Sequence, residues 1–305
     1  MFKFDNILIC LDLTEMDESL INYANFVTET FKPKKITFIH VMDIYEIPEE
    51  LSEAMDVSNK QLDKIIYEEI EEKVESTFKY KEKVNTEVVL ESGITTEKIV
   101  QYATKNKTDL AIMGKKIGYM GKGSVARKVI GLFPSSVLLI SETSTHSIEK
   151  IMVRTNFANP SFIAYKMAEE IKKYTKASTE FHHVYKLPYN YFPHQDIKAE
   201  KKLEKKLEPY INKKYNAFLK KFELDSNIPI NFSIDLKGDE AQVMYNYAIK
   251  HRFDMVITGT RLKSKLANVI MDSTSEKLAG VEKNIPILIV KDAKKTVGFL
   301  KALFD

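Results

Sequence analysis

The sequence predicts an α/β fold made twice: two doubly wound domains, each a five-stranded parallel sheet with helices on both faces. Three observations carry this. Apolar runs of strand length alternate with helical segments along the chain. The pattern recurs after about 145 residues. Four of the ten glycines, Gly114, Gly118, Gly121 and Gly123, crowd between one such run and one such helix.

The repeat is direct. "ESGITTEKIVQYATKNKTDLAIMG" (91–114) lies over "LKGDEAQVMYNYAIKHRFDMVITG" (236–259) at a constant offset of 145. Gly93, Tyr102, Ala103, Lys105, Asp109 and Gly114 then meet Gly238, Tyr247, Ala248, Lys250, Asp254 and Gly259. Upstream the offset is 144: "NILICLD" meets "KIMVRTN" and Ala24 meets Ala168. "IHV" (39–41) meets "HHV" (182–184) at 143. The domains are therefore residues 1–145 and 146–292, joined near the polar stretch "SETSTHSIE", with an added tail at 293–305.

Each copy reads in one order. An apolar strand opens it (6–12; 150–155), then an amphipathic helix (17–31; 160–174). A β-rich run ends in His-Val (35–42; 178–185), and a long polar helix follows (49–79; 196–223). Next come a strand (85–91; 230–236), a helix (95–106; 240–251) and an apolar strand (109–113; 254–258). A loop, a helix and a last strand, "SVLLI" or "PILIV", complete it. Strands alternating with helices imply right-handed crossovers and a parallel sheet, with ligands beyond the carboxyl ends of the strands.

Composition excludes several classes. At 305 residues and 44% hydrophobic, the chain suffices for two ordinary cores. No apolar run approaches the ~20 residues of a membrane span. "MFKFDNILICLDL" is interrupted by Lys3, Asp5 and Asp12 and does not read as a signal peptide. The single cysteine, Cys10, lies in an apolar run and reads as a buried hydrophobe, so a reducing, cytoplasmic setting is expected. The net charge of +3 hides two opposite halves: −6 over residues 1–145 and +9 over the rest.

The glycine-rich stretch 109–131 sits where a doubly wound fold places its ligand. Strand 109–113 ends at Gly114, and a helix begins near Ser124, a good N-cap. Glycines, a helix N-terminus and Lys115, Lys116 and Lys122 suit a phosphate. The stretch is no Walker A loop, and "GKGSVA" lacks the strand that a dinucleotide fingerprint needs immediately before it. A flexible surface loop with incidental lysines is the other reading.

With these residues in view, each copy resembles the universal stress protein domain. The strand-1 Asp12, "IHV", "TDLAIMG", "GSVARKV" and "SSVLLIS" carry the resemblance, which covers nearly the whole chain twice. It implies the adenine nucleotide alpha hydrolase-like fold and a cytoplasmic, non-catalytic stress-response role. It also implies ATP, with Mg, in domain 1. Carried over by position, Asp12 and Val41 would hold adenine and ribose. Met113 is also retained, as are Gly114, Gly123 and Ser124 of the phosphate loop; the loop's second glycine comes one place late, at Gly118, and Gly121 is counted with the cofactor-binding residues as part of the glycine cluster. From Gly114 to Ser124 is ten positions, four short of the family's pattern. In domain 2 Asn156, Leu262 and Asp272 stand where Asp, Gly and Gly are wanted, so that site is expected not to bind ATP in the family's manner. A slow ATPase or phosphotransfer switch, and a pure scaffold, remain the rival readings.

The remaining features lead to structural expectations. The resemblance implies pairing of the two copies through their last strands; a homodimer and an unidentified protein partner are further expectations, nucleic acid and membrane are not. His182 and His183 are adjacent in a strand and cannot chelate one metal. Leu62, Ile66, Ile70, Val74 and Phe78, and Leu203, Leu207, Ile211, Tyr215, Phe218 and Phe222, mark the buried stripes of the long helices. Their glutamates (68–75) and lysines (198–206) read as solvated faces, and Pro209 should kink or interrupt the second helix. The aromatic loop 186–196 reads as a lid. The tail "KKTVGFLKALFD" is expected to dock on its own chain, before a second protomer or a membrane.

Overall fold

The computed structural model describes residues 2–42, 59–115, 124–186, 197–236, 238–260 and 284–291. It divides into two compact units, the first on Met1–His146 and the second on Ser147–Asp292. The lid loop, the tail and the segment 261–283, with Leu262 and Asp272, lie outside the described residues.

The first unit runs β1 (Asn6–Leu11), α1 (Met16–Phe31), β2 (Lys35–Met42), α2 (Asn59–Thr77), β3 (Asn85–Ser92), α3 (Thr95–Lys105), β4 (Leu110–Gly114), α4 (Ser124–Leu132) and β5 (Ser136–Ile140). Its strands are all parallel in the order β3-β2-β1-β4-β5, so the order reverses between β1 and β4. The second unit runs β6 (Lys150–Arg154), α5 (Asn159–Thr175), β7 (Ser178–Lys186), α6 (Ile197–Lys221), β8 (Ile230–Asp235), α7 (Glu240–Lys250), β9 (Met255–Gly259) and β10 (Ile287–Val290). Its order is β10-β9-β6-β7-β8, again parallel, with the switch between β6 and β9.

The matched residues of the repeat have matched physical roles. The Asp109 carboxylate accepts the Asn6 N–H at 2.9 Å, and that of Asp254 accepts the N–H groups of Glu149 and Lys150 at 2.8 and 2.9 Å. Each ties the start of the central strand to its neighbour. Tyr102 donates to Glu87 and Tyr247 to Glu180, at 2.8 and 3.0 Å. Ala103 and Ala248 are fully buried, where a larger side chain would push the helix off the sheet. Lys105 and Lys250 close the last turns of α3 and α7, complementing the helix dipoles. Gly93 takes φ +136°, a conformation open in practice to glycine.

The predicted stripes are buried in part: Leu62, Ile66, Leu203, Leu207 and Phe222 are half-buried. Ile70, Val74 and Phe78 of the first unit and Ile211, Tyr215 and Phe218 of the second are at most 4% exposed. Glu68, Glu69, Glu71, Glu72 and Glu75 are all exposed, as are Lys202, Lys205 and Lys206. Pro209 does not interrupt α6, which continues from Ile197 to Lys221. Glu208, Pro209 and Tyr210 all face solvent, so the carbonyl left without a helical partner by Pro209 can be hydrated. Cys10 is buried and free, and burial pushes its thiol up to about 12, which makes it inert.

Candidate functional site

The carboxyl edge of the first sheet gathers the strand residues named from the sequence. Leu11 pairs with His40 and Cys10 with Met113 in register. Asp12 therefore leaves β1 beside Val41, and Met113 and Gly114 end β4 on the other side. Val41 and Met113 are 7% and 6% exposed, so they offer backbone rather than side chain. Asp12 is exposed and accepts a hydrogen bond from the Thr14 hydroxyl. Ser124 opens α4 as expected, whereas Gly118, Gly121 and Gly123 lie outside the described residues.

Strand β1 stops at Leu11, one residue before its expected end, because Asp17 takes over the backbone. Its carboxylate accepts the N–H groups of Asp12 and Leu13 at 2.8 and 3.0 Å. Leu13 is held at φ +60°, costly for a branched side chain, and the two bonds fix it there. Asp17 is 1% exposed, and burial pushes its pKa above the ordinary carboxylate value, with the Asp12 charge adding to the rise. His40 completes the support: its Nδ1 lies 3.0 Å from the Leu11 carbonyl, which can only accept, so Nδ1 carries the proton.

Gly114 has a packing reason to be glycine. A Cβ there would stand 2.5 Å from Cγ of Met16, in the first turn of α1. At Gly259 it would stand 2.0 Å from the Pro160 carbonyl oxygen. Both glycines let the first helix of the unit approach the end of the strand.

The second unit keeps this scaffold and changes its chemistry. Asn156 replaces Asp12, and Ser161 stands where Asp17 stands. The Ser161 hydroxyl accepts the Asn156 N–H at 2.9 Å and donates to Asn156 Oδ1 at 3.0 Å. The amide is thereby engaged within its own turn. Phe157, the counterpart of Leu13, is also left-handed at φ +59°, and its ring lies 4.5 Å from that of His183. His183 bonds the Thr155 carbonyl at 2.9 Å, as His40 bonds Leu11. Burial lowers the pKa of His183.

An ion cluster missed in the sequence occupies the same edge. Arg154, in the place of Cys10, donates from Nε to Glu240 at 2.7 Å, and Lys186 Nζ lies 2.6 Å from the other Glu240 oxygen. Arg154 and Glu240 are each 8% exposed. An arginine inside the apolar run "KIMVR" was the legible signal, since a buried charge requires a partner. Asp17 and Ser161 were also missed; they sit five residues beyond Asp12 and Asn156, whose N–H groups they accept.

A cavity of about 740 Å³ adjoins the start of α1, between Leu13, Asp17, Ile21, Lys73, Thr77 and Glu142. Glu15 and Glu18 also line it, so four carboxylates face one ammonium, an environment unsuited to phosphate. Among the described residues no group of three or more His, Cys, Asp or Glu is placed to hold a metal ion. No helix among them is long and apolar enough to cross a membrane.

Replacing Asp17 with alanine leaves two backbone N–H groups unpartnered around a strained residue. The expected loss is about 1–3 kcal/mol of stability, measured by urea unfolding. Asp17→Ser, the arrangement of the second unit, should recover part of it.

The model of the universal stress protein family matches residues 3–141 and again 147–291. The stress response protein NhaX of Bacillus subtilis is 41% identical over 56 residues, which are 18% of this chain and 33% of that protein. The match thus spans about a third of that relative's length. The crystal structure of a universal stress protein from Archaeoglobus fulgidus is similar with a TM-score of 0.63 at 16% identity, covering 95% of this chain and 99% of that one. A functionally unknown protein from Pseudomonas aeruginosa has a TM-score of 0.62 at 13% identity, covering 98% and 96% of the two chains. The two structural likenesses cover nearly the whole of this chain. The chain belongs to the universal stress protein family, with one family domain at residues 3–141 and a second at 147–291.

Proposed function

We propose that the chain is a cytoplasmic stress-response protein that binds one adenine nucleotide, in its first unit, and acts by binding rather than by catalysis. The observation that carries this is the contrast between Asp12 and Asn156. Asp12 and Asn156 are both exposed and each is bonded within its own turn, to Thr14 and to Ser161, but only Asp12 brings a negative charge, at the switch between β1 and β4. An exposed carboxylate suits the paired hydroxyls of a ribose, and the backbone of Val41 and Met113 suits the edge of adenine. Gly114, Gly118, Gly121, Gly123 and the N-terminus of α4 at Ser124 would hold the phosphates, and Mg would arrive with them. The Gly114 position is filled by Met16, so close approach there falls to the later glycines.

The second unit serves as a partner domain in this reading. Phe157 and the Arg154–Glu240–Lys186 cluster support that role, since they occupy the edge a nucleotide would need. The pairing of the two copies along their last strands, inferred from the resemblance, belongs to the same reading. Unprotected amides at 137–140 and 287–290 in hydrogen exchange would overturn that part.

Calorimetric titration with Mg-ATP is expected to give at most one site per chain. Asp12→Ala should abolish binding, and Asn156→Ala should leave it unchanged. Two equivalent sites would refute the assignment. No binding, together with no adenine nucleotide in the purified protein by mass spectrometry, would favour the scaffold; the four-residue shortening of the first loop is the observation on its side.

A further inference from the structure

The long helices of the two units carry opposite charge in a matched arrangement. Helix α6 has nine lysines against three glutamates, while α2 has three lysines against five glutamates and one aspartate. At 100° per residue, Lys202, Lys206, Lys213 and Lys220 fall within about 40° of one another, on a ridge about 27 Å long. All four are exposed and form no ion pair among the described residues. The ridge lies opposite the buried face of Ile211, Tyr215 and Phe218, so it points into solvent.

On α2, Glu68, Glu72 and Glu75 form the corresponding exposed ridge, within about 60°. The pairs Lys64–Glu68 and Lys81–Glu75, at 3.5 and 3.3 Å, are water-exposed and leave the helix net negative. Each ridge has one large apolar group on its flank. Tyr210 is 68% exposed beside the lysines, and Ile65 is 50% exposed beside the glutamates. An apolar contact flanked by opposite charges is the composition of a protein interface, and tyrosine is a favoured anchor in one.

We propose that α6 of one chain docks on α2 of a second copy of this chain, lysine ridge against glutamate ridge, with Tyr210 and Ile65 at the contact. Opposite charge on the equivalent helix argues for a second copy over a polyphosphate or an anionic lipid surface. The acidic first half, at −6, would repel both of those. Because the two ridges belong to different units, one such contact uses one ridge of each chain, and the docked pair still presents one free ridge of each sign. Association then either continues to further copies or closes by the reciprocal contact, and in both cases it depends on concentration and is weakened by salt.

Sedimentation velocity of the full chain tests this. At about 20 mM salt the average mass should rise with protein concentration, and at about 500 mM it should fall to one chain. The triple reversals Lys202→Glu/Lys206→Glu/Lys213→Glu and Glu68→Lys/Glu72→Lys/Glu75→Lys should each remain single chains at low salt. Mixed in equal amounts they should associate again, since one supplies two acidic ridges and the other two basic ones. Should a reversal unfold the chain by circular dichroism, the neutral Lys→Gln triple is measured instead and should also lose low-salt association. A single-chain mass for the wild type at low salt overturns the proposal. So does association that survives the reversals, or folded reversal variants that stay single when mixed.

Discussion

His182→Ile is expected to stabilise the second unit, by about 1–3 kcal/mol at pH 7, and to do so more strongly in acid. The His182 side chain is fully buried, and neither ring nitrogen has a hydrogen-bond partner. It stacks on Tyr247 with centroids 3.9 Å apart, which fills space but satisfies no N–H. Its counterpart in the first copy is Ile39, also buried, so the position accepts a β-branched aliphatic residue in the same strand. Isoleucine removes the unpaired donor and acceptor and keeps most of the packing. Burial holds the pKa of His182 down at about 3, with His183 and His251 adding to the effect. The unfolded chain takes up this proton near pH 6.5 and the folded chain does not. Wild-type stability is therefore present above pH 6.5 and is lost as pH falls toward 3, at about 1.4 kcal/mol per pH unit. The variant lacks that loss, so its advantage should grow by about 2 kcal/mol between pH 7 and pH 5. Urea unfolding of both proteins at the two pH values measures this. Parallel pH dependence would show that the ring is not held neutral in the core.

What was legible in the sequence followed from local periodicity and from the duplication. The strand and helix order, the buried stripes of α2 and α6 and the place of Gly114 all follow from spacing along the chain. Aligning the copies also brought out Asp109 and Asp254, although their reason, a carboxylate tying two strands together, appears only when the register is known. The errors have physical causes too. Pro209 reads as a residue that should kink or interrupt α6; the interruption does not occur, since its exposed position lets water replace the lost bond. Asp17 and Ser161 have no signature in the sequence, because a side chain that reaches back to the preceding turn leaves no periodic trace. The partner of Arg154 lies 86 residues away, across a crossover that no local pattern specifies.

That long-range pair sets the other large effect. Glu240→Ala is expected to destabilise the second unit by about 3–5 kcal/mol, because it removes the carboxylate to which the buried Arg154 guanidinium donates at 2.7 Å. Lys186 should contribute little to that loss, since its side chain is 57% exposed and can return to water. A buried ion pair is costly to break and yet is weak evidence of net stability, because both charges were desolvated to form it. The first unit shows the alternative: Cys10 stands at the position of Arg154, and Thr95 at that of Glu240. The double variant Arg154→Cys/Glu240→Thr removes both charges together and should recover most of what Glu240→Ala loses. Urea unfolding of wild type, Arg154→Cys, Glu240→Thr and the double variant closes the cycle. Recovery in the double variant assigns the cost to the uncompensated charge. If the double variant instead falls as far as the sum of the singles, the two side chains act independently, and the cost of Glu240→Ala lies elsewhere, at the first turn of α7.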